Sequence, residues 1–427
     1  MRRLWRQLRS RYDFGFFQVR EEWPLLLSVA GVILSIGALV PTSVAIVLGV
    51  LAFGFGLGVV VRNVLELRRR WKDYEFRAIP APFPTDTIPP PSAYPEPTYL
   101  YLPGRGTALV SDPIDRLVAS QAIAARLDEE PYRLPKLLKG SAPYVLPVSN
   151  YGRLVFNGKI IGMRGDPLPP ESNPPTPIRL HIARFFDAQC SNEICNLQIT
   201  HRSDGDGFDP RTALLTNANG QLRTLFESTL ADCIGISTVA FTADNDLVVT
   251  LQSSRNVASP RQLAPSGSGS LDPRDLDPAS TGHGLRQPET LQNIVRRGME
   301  RELCEETGIR QDEIRSTKVV GFARWLERGA KPEFFGVSKL SATNADLNKP
   351  RHLASDERLY TEGTSIQEMD LSQLGLELAD GTELLSARSL PPAIKAQGSL
   401  PLLLALRAAA LWSHERLDSD NGASPGH

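Results

Sequence analysis

The chain has 427 residues, 41% of them hydrophobic and 22% charged, which is room for two or three domains of ordinary folded composition. Its formal net charge of −1 excludes a basic coat for duplex nucleic acid, so any electrostatic function must lie in local clusters. The four cysteines, Cys190, Cys195, Cys233 and Cys304, form neither a CxxC pair nor a Cys/His ligand set. That argues against structural zinc or a disulfide framework and for a reducing compartment.

In chain order the first elements are two uncharged runs, Trp23 to Val40 and Thr42 to Val61, on either side of Pro41. At the helical rise of about 1.5 Å per residue each extends roughly 27 to 30 Å, the thickness of a bilayer core. Residues 1–75 are therefore expected to form a two-helix transmembrane hairpin. The runs are too long, and follow each other too directly, for a cleaved signal peptide. Arg2, Arg3, Arg6, Arg9, Arg11 and Arg20 precede the first run, and Arg62, Arg68, Arg69, Arg70 and Lys72 follow the second. The turn between them carries no basic residue, so the positive-inside rule puts both termini in the cytoplasm. Gly54 and Gly58 form a GxxxG, and Gly31 and Ser35 a similar small pair, spacings that permit close helix approach within the hairpin or between copies.

Residues 76–103 are rich in proline, which favours extended backbone, and are expected to act as a stiff linker. Residues 104–230 read as an α+β extension, with Asn157-Gly158 suited to a tight hairpin turn inside the run Arg153 to Gly162. From 231 to 417 the order is clearer. Ile234 to Thr242 and Leu247 to Ser253 predict a β-hairpin, followed by a Gly/Ser loop at Leu263 to Asp272 whose backbone N–H groups are suited to an anion. A helix is expected from Pro288 to Thr307, capped by Gly308, with Leu291, Ile294, Val295, Met299 and Leu303 on its apolar side. Val319 to Leu326 and Glu333 to Leu340 predict two more strands, and Ser399 to Leu417 an amphipathic helix. Residues 418–427 are expected to be a disordered tail.

On the helix before Gly308, Glu302, Glu305 and Glu306 stand at i, i+3 and i+4 and so share one face. Carboxylates so close raise one another's pKa unless a cation balances them, and hard divalent ions take oxygen ligands of this kind. Arg301, four residues before Glu305, is placed to pin one carboxylate, while Glu300 points to another face and is expected in solvent.

The stretch "RELCEETGI", Arg301 to Ile309, matches the core of the Nudix box, REUxEExGU with U aliphatic. The chain thus resembles the Nudix family from about residue 232 to 345. The resemblance implies an α/β fold with a Nudix-like α/β/α sandwich at its end, Glu302, Glu305 and Glu306 as ligands of Mg²⁺ or Mn²⁺, and Arg301 as their orienter. The box departs from the family pattern at Gln287, where a glycine is expected, and at Asn293, where a glutamate is expected. A phosphate ligand would meet Ser266, Gly267, Ser268 and Gly269 of the loop, the metal on the glutamates, and Arg324 and Lys331 at the strand ends.

With its hairpin, proline-rich spacer and divergent box, the chain also resembles the two-transmembrane, SMODS-associated NUDIX effectors of bacterial CBASS anti-phage systems. That resemblance implies a homo-oligomer of the bacterial inner membrane that senses a cyclic oligonucleotide and disrupts the membrane on assembly. Two other readings stay open. One is a membrane-tethered, Mg-dependent hydrolase of nucleoside diphosphate-linked compounds with Glu302, Glu305, Glu306 or Glu333 acting on water; the other is a non-catalytic interaction module.

Overall fold

A computed structural model of the chain describes residues 2–21, 32, 43–70, 72–79, 83–146, 156–170, 175–203, 205, 207–253, 261–276, 289–349, 351 and 361–422. The chain divides into two units, one of Met1–Ile79, Leu134–Gly158 and Arg184–Ala213, the other of Pro80–Arg133, Lys159–Ala183 and Leu214–His427. This partition cuts across the linker and extension expected at 76–103 and 104–230.

The first unit opens with helix α1, Arg2–Glu21, followed by α2, Ser43–Arg70. Phe17 of α1 is buried, its ring edge-on to Phe186 at 5.5 Å, and Asp13 accepts the Asn157 N–H at 2.9 Å. Tyr74–Ala78 pairs antiparallel with Leu197–His201, which also pairs with Gly207–Phe208. The first apolar run lies outside the described residues except for Val32, and so do Gly31 and Ser35. Val32 packs on Gly56, where an added Cβ would come 2.8 Å from its Cγ2, whereas added Cβ atoms on Gly54 and Gly58 meet nothing within 4 Å among the described residues. α2 exposes Val50, Leu51, Phe55, Leu57, Val61 and Leu65. Among the described residues no helix is long and apolar enough to cross a membrane.

In the second unit the strands β1 Thr98–Leu102, β2 Gly106–Val110, β3 Gly235–Phe241, β4 Leu247–Gln252, β5 Leu263–Ala264, β6 Gly267–Ser270, β7 Ile314–Trp325, β8 Lys331–Leu340 and β9 Thr361–Gln367 make one mixed sheet. Its lateral order is β5-β4-β3-β8-β7-β2-β1, with β6 also on β3 and β9 also on β4. Only β3 and β8 run parallel among these pairs; the rest are antiparallel. The predicted hairpin is β3-β4, turned by Asn245 at φ 69°, and the two further predicted strands pair as β7-β8 through Gly329 at φ 65°.

Helices α3, Asp112–Ser120, α4, Leu291–Thr307, α5, Leu371–Ala379, and α6, Leu400–Gly422, cover this sheet. α4 lies on one face, with Met299 against Gly336 and Gly298 against Ile236. α3 and α6 lie on the other, where Ala408 and Asp115 crowd Gly321. The layers are therefore helix, sheet, helix. The main core, between α6 and the sheet, joins Leu403, Leu406 and Ala409 to Val239, Phe335 and Trp325. Each such side chain contributes roughly 1.5–3 kcal/mol by leaving water.

Several expectations are corrected. The proline-rich segment is packed into the fold: Phe83, Ile88 and Tyr94 are buried between its prolines, because extended backbone still lays apolar side chains onto a neighbour. Of the hairpin expected at Asn157, the Lys159–Arg164 arm neighbours Ile178–Arg184, and Asn157 is buried with its side chain accepting the Phe186 N–H. Arg153 to Val155 lie outside the described residues. α6 is buried around its early turns rather than along a stripe, because α5 closes over it with Gly375 at the Ala410 carbonyl. It runs to Gly422, into the expected tail, whose remainder is outside the described residues.

Burial pushes the Asp115 carboxyl up to about 7, opposed by the Phe322 N–H it accepts at 2.8 Å and by Arg407 at 3.6 Å. The folded chain then keeps a proton that the unfolded chain loses near 3.8. Between those values the folded state binds more protons, so stability should fall as pH rises through the window. Denaturant unfolding across it should show that fall, and Asp115→Asn should flatten it; an unchanged slope would contradict this assignment.

Candidate functional site

The local logic of α4 is readable from its ends. Thr290 is extended and starts the helix, and Gly308, at φ 71°, ends it in the left-handed conformation a side chain would resist. Between them Leu291, Ile294, Val295, Met299 and Leu303 are buried, which turns Glu302, Glu305 and Glu306 toward β6 and the rim. Gln287 and Pro288 lie outside the described residues; Asn293 is exposed.

β6 is where the Gly/Ser loop was expected. It is a strand, and its Gly267 and Gly269 serve close approach rather than positive φ. A Cβ on Gly267 would stand 2.4 Å from the Leu303 nitrogen, and one on Gly269 would stand 2.2 Å from Glu302 Oε1. The helix therefore rests directly on backbone. Ser268 N–H donates to Glu306 Oε2 at 3.0 Å, with its hydroxyl 3.4 Å from the same oxygen. The structure thus brings Gly267, Ser268 and Gly269 together with Glu302 and Glu306. Ser266 is buried; its hydroxyl donates to the Val248 carbonyl and accepts the Ala240 N–H at 2.7 Å, so it ties β6 to its neighbours.

Arg301 organises the cluster. Its Nη1 donates to Glu302 Oε1 at 2.7 Å and Glu305 Oε2 at 3.1 Å, the latter being the i, i+4 pair expected from the sequence. Its Nε and Nη2 grip both oxygens of Asp275 at 2.8 and 2.9 Å, and Nη2 also reaches the Ser270 carbonyl. Burial opposes the charge of Arg301, yet the bonds to Asp275 and the nearby Glu302 carboxylate hold its pKa above the ordinary guanidinium value. Arg274 adds a bond to Glu305 at 3.3 Å.

Asp275 is the residue that sequence reasoning missed. It is almost wholly buried, and besides Arg301 it accepts the Asp272 N–H at 2.8 Å, while its carbonyl accepts from Arg297. The available signal was Asp272-Pro273-Arg274-Asp275, a proline-started turn with an acid at its fourth place. Asp275 supplies the buried carboxylate that clamps Arg301 from outside the helix.

Three expected placements differ. Glu300 is buried and paired with Arg296 at 3.1 Å, and accepts from Gln311, rather than standing in solvent. Arg324 is buried, donating to Asp166 at 3.3 Å and to the Arg223 and Ala330 carbonyls, while Tyr94 donates to the same Asp166. Lys331 is buried and donates to Glu333 at 2.6 Å. Glu333 is in register with Gly235, whose neighbour Ile236 faces α4, so strand alternation puts the Lys331–Glu333 pair on the other face. Neither cation is offered to a ligand at the glutamates.

The carboxylate oxygens of Glu302, Glu305 and Glu306 have the hard-donor chemistry of Mg²⁺ or Mn²⁺ sites. Their arrangement, however, gives Glu302 and Glu305 to a guanidinium and Glu306 to Ser268. Among the described residues no group of three or more His, Cys, Asp or Glu side chains is placed to hold a metal ion. Burial and then the charges of Glu300, Glu305 and Glu313 push the Cys304 thiol up to about 11, which disfavours its thiolate.

The chain is similar to solved structures that include DR0079 from Deinococcus radiodurans, at 12% identity over 40% of this chain and 89% of that one, with a TM-score of 0.22. It is similar to the MutT protein from Methanosarcina mazei Go1 at 14% identity, over 44% of this chain and 94% of that one, TM-score 0.21. A Nudix hydrolase from M. smegmatis, RenU, shares 12% identity over 44% of this chain and 86% of that one, TM-score 0.20. Scores of that size are too low to assign chemistry. No family model matches the chain, and no curated protein does.

The two glycines separate structure from site. Gly267→Ala meets backbone and should lower unfolding free energy by about 1–3 kcal/mol, whereas Gly269→Ala meets only the end of a side chain and should cost clearly less. Asp275→Ala should cost about 3 kcal/mol by leaving Arg301 without its clamp. Denaturant titration of the three variants checks the order; equal losses for the two glycines would refute the packing described.

Proposed function

We propose that the second unit is a Nudix-like nucleotide-binding domain whose α4 carboxylates meet the phosphates of a ligand through a divalent cation, and that the ligand is a cyclic oligonucleotide read without turnover. The observation that carries this reading is the complete Arg301, Glu302, Glu305, Glu306 cluster seated on β6, with each glutamate bonded to Arg301 or Ser268. Asn293 replaces the upstream glutamate, and Glu333 is locked to Lys331 on the far face of the sheet. In this reading the carboxylates meet a cation by exchanging their bonds to Arg301 and Ser268, while neither Asn293 nor the Lys331-bound Glu333 is placed to activate water. Mg²⁺ or Mn²⁺ would supply charge neutralisation between carboxylate and phosphate. Arg301 and Asp275 fix where the carboxylates start.

In this reading the first unit is the output. The apolar side chains exposed along α2 and the unpacked Gly54 and Gly58 suit a membrane segment that associates with other copies, with both termini in the cytoplasm of a bacterium. Ligand binding drives assembly only in so far as it prefers the assembled state. The second reading, a membrane-tethered hydrolase of nucleoside diphosphate-linked compounds, is favoured by the intact glutamate core and differs in one outcome, release of product.

The full chain in lipid nanodiscs, titrated calorimetrically with a panel of cyclic oligonucleotides plus Mg²⁺, should bind one member without releasing nucleotide. Release would favour the hydrolase, and absence of binding would remove the sensor. Glu305→Gln combined with Glu306→Gln should weaken Mg²⁺-dependent binding roughly tenfold or more. Gly54→Leu with Gly58→Leu should reduce ligand-driven cross-linking between chains and, by linkage, weaken apparent nucleotide affinity; unchanged cross-linking would count against a helix-packing role.

A further inference from the structure

We propose that α1 is a membrane-surface anchor that lies in the headgroup layer of an anionic bilayer. Trp5, Leu8, Tyr12 and Phe16 are 62%, 57%, 69% and 50% exposed. Their spacing of three and then four and four residues lines them along one side of a helix. The other side is already used: Phe17 packs on Phe186, and Asp13 accepts the Asn157 N–H. The outward strip is therefore not the helix's folding face. Tyr12 and Phe16 stack on each other at 6.0 Å, so the strip of Trp5, Leu8, Tyr12 and Phe16 forms an apolar ridge that ends in an aromatic pair.

Charge selects the occupant. The α1 sequence holds six arginines against Asp13 and Glu21. Arg9 and Arg11 are exposed at the flanks of the ridge, and Arg9 lies over the Trp5 ring at 5.7 Å and the Phe156 ring at 5.2 Å. A second copy of α1 would bring arginines against arginines, which opposes pairing. Anionic lipid phosphates neutralise them while the Trp and Tyr rings take the boundary between headgroup and acyl chain that such amphipathic rings favour. α2, in the same unit, exposes apolar side chains as well, so a bilayer covers both without a further partner. The anchor is independent of the nucleotide reading, because none of its residues belongs to the carboxylate site.

An environment-sensitive fluorescent amino acid placed at Tyr12 in the full chain tests this, with a second at Gln7, which is exposed away from the ridge. In nanodiscs containing phosphatidylglycerol, the label at 12 should shift to the blue, be quenched by headgroup-level spin-labelled lipid and lose iodide quenching severalfold, while the label at 7 stays open to iodide. Phosphatidylcholine discs, high salt, or Arg9→Glu with Arg11→Glu should weaken the effect. Equal iodide access at 12 in both disc types would overturn the proposal. So would a shift that grows with protein concentration and ignores lipid charge, since that would assign the ridge to a second copy.

Discussion

One guanidinium holds the second unit's acidic cluster in place. Arg301 bonds to Glu302, Glu305, Asp275 and the Ser270 carbonyl at once, and so joins the helix, the strand beneath it and the turn leading away from that strand. Three carboxylates could not sit so near one another in a half-buried site without a positive charge among them. The same contact explains why Asp275 is buried though charged. A lone buried carboxylate would cost several kcal/mol, and the two-pronged bond to Arg301 offsets it.

Much of this arrangement could be read from sequence because it is local. The i, i+3, i+4 spacing of the glutamates, the Arg301–Glu305 pair and the Gly308 cap depend only on helical geometry. For Asp275 only the local turn is legible; its pairing with Arg301, 26 residues downstream, is a tertiary contact that local spacing does not encode. Sequence marks the glycines of β6 but not their use, since composition suggests conformational freedom and the fold uses them to make room for a helix backbone. Arg324 and Lys331 were misplaced because a strand's alternation tells which side chains share a face, and leaves open what covers it. Here helix layers and the proline-rich segment cover both faces.

The buried Tyr94–Asp166–Arg324 group shows how that proline-rich segment is fastened. Burial raises the Asp166 carboxyl, while the Arg324 charge and the bonds from Tyr94 and the Leu225 backbone lower it again. Because Tyr94 donates to Asp166 and Arg324 reaches both Asp166 and the Arg223 carbonyl, four segments distant in sequence meet at one buried polar node. Such a node specifies its partners more sharply than apolar contacts would, since any wrong neighbour leaves a charge unpaired.

The direct seating of α4 on β6 has a mechanical consequence. With no side-chain layer between Gly267 and Leu303, there is nothing soft to absorb a displacement of the helix. A push on Glu302 or Glu306 is therefore passed to β6, from there to β3, and through the parallel β3–β8 pairing into the middle of the sheet. The acidic face and the centre of the sheet are thus joined through backbone alone, with β6 as the one strand between α4 and β3.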